Sequence, residues 1–151
     1  MVMQQLWFLD TLVSVAVGHD DSQDGVSVIE SLMRRGDSPP LHVHHAEDEI
    51  WHVQEGEFRF RIGDRDVTAG PGETVLGPRG IPHTYRIESE RGRCLVITSG
   101  GDFERFVRAF SRPAETDGLP APSGPPTPEA AETLAKAAME YGIELVGPPL
   151  H

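Results

Sequence analysis

Turn signals at Gly56, Gly63, Gly70-Pro71-Gly72, Gly80 and Gly92 recur at roughly the 8–12-residue interval at which the short strands of a sandwich or barrel reverse. Between them, apolar residues fall at every second position. In Glu57-Phe-Arg-Phe-Arg-Ile, closed by Gly63-Asp64, the residues Phe58, Phe60 and Ile62 alternate with Arg59 and Arg61. That is the period of a strand with one buried and one wet face. Strands are likewise expected around Leu6–Leu9, Leu12–Val17, Val26–Met33, Leu41–His44, Glu49–Val53, Arg65–Ala69, Glu73–Leu76, His83–Ile87 and Cys94–Thr98. The 16 Gly and 13 Pro explain a hydrophobic fraction of only 38% and point to an all-β chain. Its 151 residues fit one core-bearing domain that needs no disulfide or metal merely to fold.

The character changes after Gly100-Gly101, which divides the chain into a β domain over 1–101 and an extension over 102–151. Asp102 is placed to cap a short helix, Phe103 to Phe110, with Phe103, Phe106, Val107 and Phe110 on one face. Residues 112–128 contain Pro113, Pro120, Pro122, Pro125, Pro126 and Pro128, which forbid a regular helix or a central strand. They read as a surface tether. Thr127-Pro128-Glu129 is a helix start, with Thr as cap and Pro at the first helical position. The helix spans 128–141 and stops at Gly142. The apolar tail Ile143-Glu-Leu-Val is expected to dock back on the body.

Charge narrows the function classes. A net charge of −11 argues against a nucleic-acid partner, whose phosphates require clustered Lys and Arg. No apolar run approaches the ~18 residues of a membrane span, and the first residues lack the pattern of a signal peptide. The single cysteine, Cys94, excludes an internal disulfide framework and fits a reducing, cytoplasmic setting. In its apolar strand it reads as a small buried hydrophobe.

Four residues point to a metal. His42-Val-His44 places two imidazoles on one face of a strand. Glu49 opens the next apolar stretch, and His83 opens another further on. Three imidazole nitrogens and one carboxylate oxygen suit a divalent transition ion, Fe2+ foremost, with Mn, Ni, Cu or Zn as alternatives. A His-x-His pair alone is weak evidence; the wider spacing is more informative. Gly36 is followed by five residues, His42, one residue, His44, four residues, Glu49, six residues and Gly56. Gly72 is followed by five residues, Pro78, one residue, Gly80, two residues and His83.

In order and interval these two stretches resemble the signature motifs of the cupin superfamily, most of all its small single-domain, quercetin-dioxygenase-like members. One departure is Ile87, where the family often has an Asn that is not a ligand. The resemblance is strong over roughly residues 25–100 and weak over the rest. It implies a double-stranded β-helix, the cupin jelly-roll barrel, with an ion held inside by His42, His44, Glu49 and His83.

Parity then assigns the remaining side chains. With His42 and His44 facing inward, Glu49, Trp51 and Val53 share that face, as do His83, Tyr85 and Ile87. Trp51, Phe58, Phe60 and Tyr85 become candidate walls for a flat, largely apolar small-molecule substrate, although aromatic residues also simply fill small barrels. His45 and His52 alternate away from the metal face, and His19 lies in an Asp-rich turn. Glu47 does not stand at the motif interval. Arg34-Arg35 and the Arg91/Arg93 pair read as wet faces, and Arg86 as an exposed residue near the pocket edge. Trp7 and Phe8 in an apolar first strand point to a homodimer.

Three functions compete. The resemblance favours a dioxygenase acting on a flat enol or aromatic molecule, flavonol- or polyketide-like, with Glu49 also serving as a general base. A non-redox cyclase or isomerase would use the same ion as a Lewis acid. A non-catalytic barrel would only bind a small ligand.

Overall fold

A computed structural model describes residues 4–151. In chain order its elements are β1 (Gln4–Phe8), β2 (Thr11–Val17), β3 (Val26–Arg34), β4 (Leu41–His44), β5 (Glu49–Glu55), β6 (Phe58–Ile62), β7 (Arg65–Ala69), β8 (Thr74–Gly77), β9 (His83–Ile87) and β10 (Arg91–Ser99), followed by α1 (Phe103–Ala109), β11 (Ser111–Pro113), α2 (Pro128–Glu140) and β12 (Ile143–Gly147). A one-turn 3-10 helix, His19–Asp21, joins β2 to β3.

The strands form two antiparallel sheets. The larger has the order β11-β1-β2-β3-β10-β5-β8, and the smaller β12-β4-β9-β6-β7. Their facing sides enclose one apolar core containing Met33, Trp51, Val53, Phe58, Phe60, Ile62, Ile87, Cys94 and Val96. Together they make a jelly roll. The period-two reading is visible strand by strand: β6 buries Phe58, Phe60 and Ile62 and turns Arg61 to solvent. Gly56 turns the chain from β5 into β6 with φ +84°, and a Cβ there would overlap the Arg91 carbonyl oxygen. No side chain fits that corner.

The extension contributes to both sheets. β11 pairs with β1 through Leu6↔Pro113 and Phe8↔Ser111, the edge position proline tolerates. β12 pairs with β4 through Ile143↔His44 and Leu145↔His42. Between these strands, α2 starts at Pro128 with Thr127 Oγ1 accepting the Ala130 N–H at 3.1 Å. Asp102 gives no side-chain cap to α1, because its carboxylate accepts from Arg105 at 3.1 Å.

The proline-rich tether is pinned across the outer face of the larger sheet. Trp7 Nε1 donates to the Gly118 carbonyl at 2.9 Å, and Arg112 lies over the indole ring. Ala114 and Leu119 pack on Trp7, Leu12 and Leu32, while Phe8 packs edge-on against Phe106. Of the two residues that pointed to a dimer in the sequence, Trp7 is thus covered by its own chain, while Phe8 stays half-buried.

Candidate metal centre

Strand pairing, rather than loop geometry, brings the four donors together. His42 on β4 lies directly opposite His83 on β9, and His44 follows two residues along on the same face. Glu49 reaches the group from the other sheet, as the first residue of β5. One donor atom from each of His42, His44, Glu49 and His83 lies within 4.8 Å of every other. The group is sealed: His44 and His83 are 0% exposed, Glu49 3% and His42 8%.

Each imidazole is tied down by its Nδ1. His42 Nδ1 donates to the Pro40 carbonyl at 2.7 Å, His83 Nδ1 to the Ile81 carbonyl at 3.2 Å, and His44 Nδ1 to Glu47 Oε1 at 3.2 Å. The partners are pure acceptors, so Nδ1 holds a proton and Nε2 is the nitrogen that would ligate an ion, as in metal-bound histidines generally. His44 Nε2 and His83 Nε2 stand 2.8 and 2.9 Å from the same oxygen, Glu49 Oε2. Yet His44 Nε2 lacks a partner with hydrogen-bond geometry. Two imidazole nitrogens this close to one carboxylate oxygen share positive charge with it, as a proton or as a metal ion. A buried set of nitrogen and oxygen donors with one nitrogen unsatisfied can hold a divalent metal ion.

The electrostatics agree. Burial, reinforced by the neighbouring His83, lowers the His42 pKa to about 3, so this ring is neutral and ready to ligate. Burial also opposes a charge on His44, but the carboxylates of Glu49 and Glu47 outweigh it and lift its pKa to about 10. Glu49 is held well below the ordinary carboxylate range: His44 and His83 more than offset its burial. Before an ion binds, the compensating positive charge is a proton on His44.

Among the other residues singled out in the sequence, Trp51 packs edge-on against His83 with ring centroids 5.0 Å apart, and its indole N–H is buried without an acceptor. Phe58 and Phe60 stack behind it, 5.8 Å apart. Tyr85 closes the same group and directs its hydroxyl to Met33 Sδ at 3.4 Å; burial pushes its pKa well above the usual value. His45 is exposed and paired with Glu144 at 3.1 Å. His52 bonds to Thr74 Oγ1 and His19 to Asp20, both away from the centre. Arg86 is paired with Glu88 at 2.7 Å. Cys94 is fully buried.

Two residues at the centre escaped sequence reasoning. Glu47, set aside because it misses the motif interval, is 2% exposed and orients His44. Phe103, assigned to a helix face, packs edge-on to His44 with centroids 5.4 Å apart and closes that side of the barrel. Gly101 leaves room for the Glu47 carboxylate: a Cβ there would overlap it and push Glu47 aside. Gly101→Ala is therefore expected to destabilise the protein by about 1–3 kcal/mol, the usual cost of overpacking, and to weaken metal binding by displacing the partner of His44. Urea unfolding and a metal titration of the variant check both effects.

Residues 29–98 match the family model described as a cupin domain. Over 106 residues, 70% of its length, the chain is 24% identical to quercetin 2,3-dioxygenase of Bacillus subtilis, and it spans about a third of that relative, 32%. A predicted oxalate decarboxylase of Thermotoga maritima superposes with TM-score 0.58 at 16% identity, over 66% of this chain and 92% of the other. The polyketide cyclase RemF of Streptomyces resistomycificus superposes with TM-score 0.55 at 26% identity, over 64% and 74% of the two chains. With these matches, the two-sheet jelly roll and the intervals that carry the four candidate donors, residues 29–98 of the chain form a cupin domain.

Proposed function

We propose that the chain is a metal-dependent enzyme, a dioxygenase acting on a flat enol or aromatic small molecule. The observation that carries this reading is the buried set His42, His44, Glu49 and His83, with every Nδ1 anchored and the Nε2 side turned to one point. Similarity to a quercetin 2,3-dioxygenase supports the choice of reaction. When bound, a transition ion supplies Lewis acidity and, in the case of Fe2+, one-electron chemistry toward dioxygen.

The chain's own groups do the rest. Glu49, ionised and held between two imidazoles, takes the substrate hydroxyl proton as general base. Trp51 and Tyr85 flank the flat body of the substrate, and the free Trp51 N–H donates to one of its oxygens. Phe58 and Phe60 back this wall, and Phe103 excludes water from the His44 side. Similarity to a polyketide cyclase favours a second reading, non-redox cyclisation or isomerisation at the same residues.

The two readings separate in one experiment. Protein loaded in turn with Fe2+, Mn2+, Ni2+, Cu2+ or Zn2+ is assayed on flavonols and related enols in an oxygen electrode. Oxygen consumed in step with flavonol loss supports the dioxygenase. Full turnover with Zn2+, or turnover under anaerobic conditions, replaces it with the cyclase.

A further inference from the structure

At the end of the barrel opposite the donors, three arginines meet. Arg34 closes β3 and Arg91 opens β10, and the two are directly paired across the ladder, so their side chains leave the sheet on the same face. Like charges directly opposite one another destabilise a sheet. Arg35 follows immediately. Among the described residues, the arginines in ion pairs are Arg59, Arg61, Arg86, Arg93, Arg105 and Arg108; none of the three has a carboxylate partner.

They line a cleft of about 460 Å³ together with Glu90 and Leu119, within the range of small-molecule sites. The cleft is partly preorganised. Arg34 Nη2 donates to the Pro120 carbonyl, which fixes its guanidinium, while Nη1 is buried without a partner. Arg35 Nε donates to the Glu88 carbonyl at 3.2 Å. Asp37 lies close by, but its carboxylate accepts from the Arg34 backbone N–H at 2.8 Å rather than from the guanidinium. In a chain with net charge −11, this is a local concentration of unneutralised positive charge.

We propose that this cleft binds a dianionic small molecule, a phosphate monoester or a dicarboxylate, with its charge on the three guanidiniums and its apolar part on Leu119. The site is separate from the metal centre. On β10, Arg91 pairs with Arg34 while Thr98 pairs with Glu49, a separation of roughly 23 Å at ~3.3 Å per residue. The tether residue Leu119 forms one wall, so an occupied cleft also holds the tether against β3.

The test is a calorimetric titration of the metal-loaded protein at low ionic strength with phenyl phosphate and, separately, succinate. Saturable binding of one or both is expected, and which of them binds identifies the anionic group. Arg91→Ala and Arg35→Ala, both at exposed positions, should each weaken binding roughly tenfold, the scale of a lost charge-assisted hydrogen bond. Glu90→Gln should tighten it. The proposal is overturned if neither compound binds, or if binding is unchanged in both arginine variants, which would place the anion at the metal.

Discussion

His42→Ala and His83→Ala are each expected to purify with almost no bound metal, while His45→Ala retains the full complement. The two candidate ligands face each other across β4 and β9, and each would supply one nitrogen to the ion. Loss of a ligand should exceed the ~10–100-fold in affinity that loss of a ligand's supporting partner costs. His45 points to solvent with Glu144 and serves as the control. Elemental analysis of the three proteins, purified identically, decides the matter; an intact metal content in His83→Ala would remove the assignment. The same centre fixes the sign of the pH dependence. His44, with its pKa raised to about 10, is protonated at neutral pH, and the ion must displace that proton. Affinity should therefore rise with pH, by about tenfold per unit for one released proton, up to about pH 10. His42, lowered to about 3, adds nothing to this slope near neutrality. Titrations in buffers of different ionisation enthalpy count the proton directly.

A chain ending at Tyr141 is expected to lose the metal centre although all four donors remain in it. β4 is joined to β9 at a single register position, His42↔His83, whereas β12 is paired with it along its whole length, from Ile143↔His44 to Gly147↔Leu41. Removing β12 leaves the strand that bears two candidate ligands as a four-residue edge with unpaired backbone groups. It also takes away Ile143, which packs with Phe106 and Ala138. The milder variant Ile143→Asp puts an unpaired charge at a position 3% exposed and should cost several kcal/mol. Metal content and thermal unfolding of both proteins test this; a truncated chain that binds metal with unchanged affinity would show that β4 stands without β12.

The convergence of His42, His44, Glu49 and His83 was legible because period two and fixed intervals act within strands, where side-chain direction follows from sequence position. Glu47 was not, because it lies between β4 and β5, where no period governs direction; its place is set by the approach of Gly101 and by His44 Nδ1. β12 could be read only as an apolar tail, since β4 as its partner is a tertiary choice over roughly a hundred residues of separation. The tether was legible as irregular chain, but its seat on Trp7 was not. A large aromatic on a first strand looks the same whether a second copy or the chain's own prolines cover it.

The pairing of β12 with β4 also bears on when the centre can exist. His44 leaves the ribosome about a hundred residues ahead of Ile143, which at ~5–20 residues per second amounts to roughly 5–20 s of translation. During that interval the two histidines have no lasting strand partner on one side. A chain that takes up an ion at this centre would accordingly do so only after β12 is made, and a prematurely terminated product would carry the signature residues without the affinity.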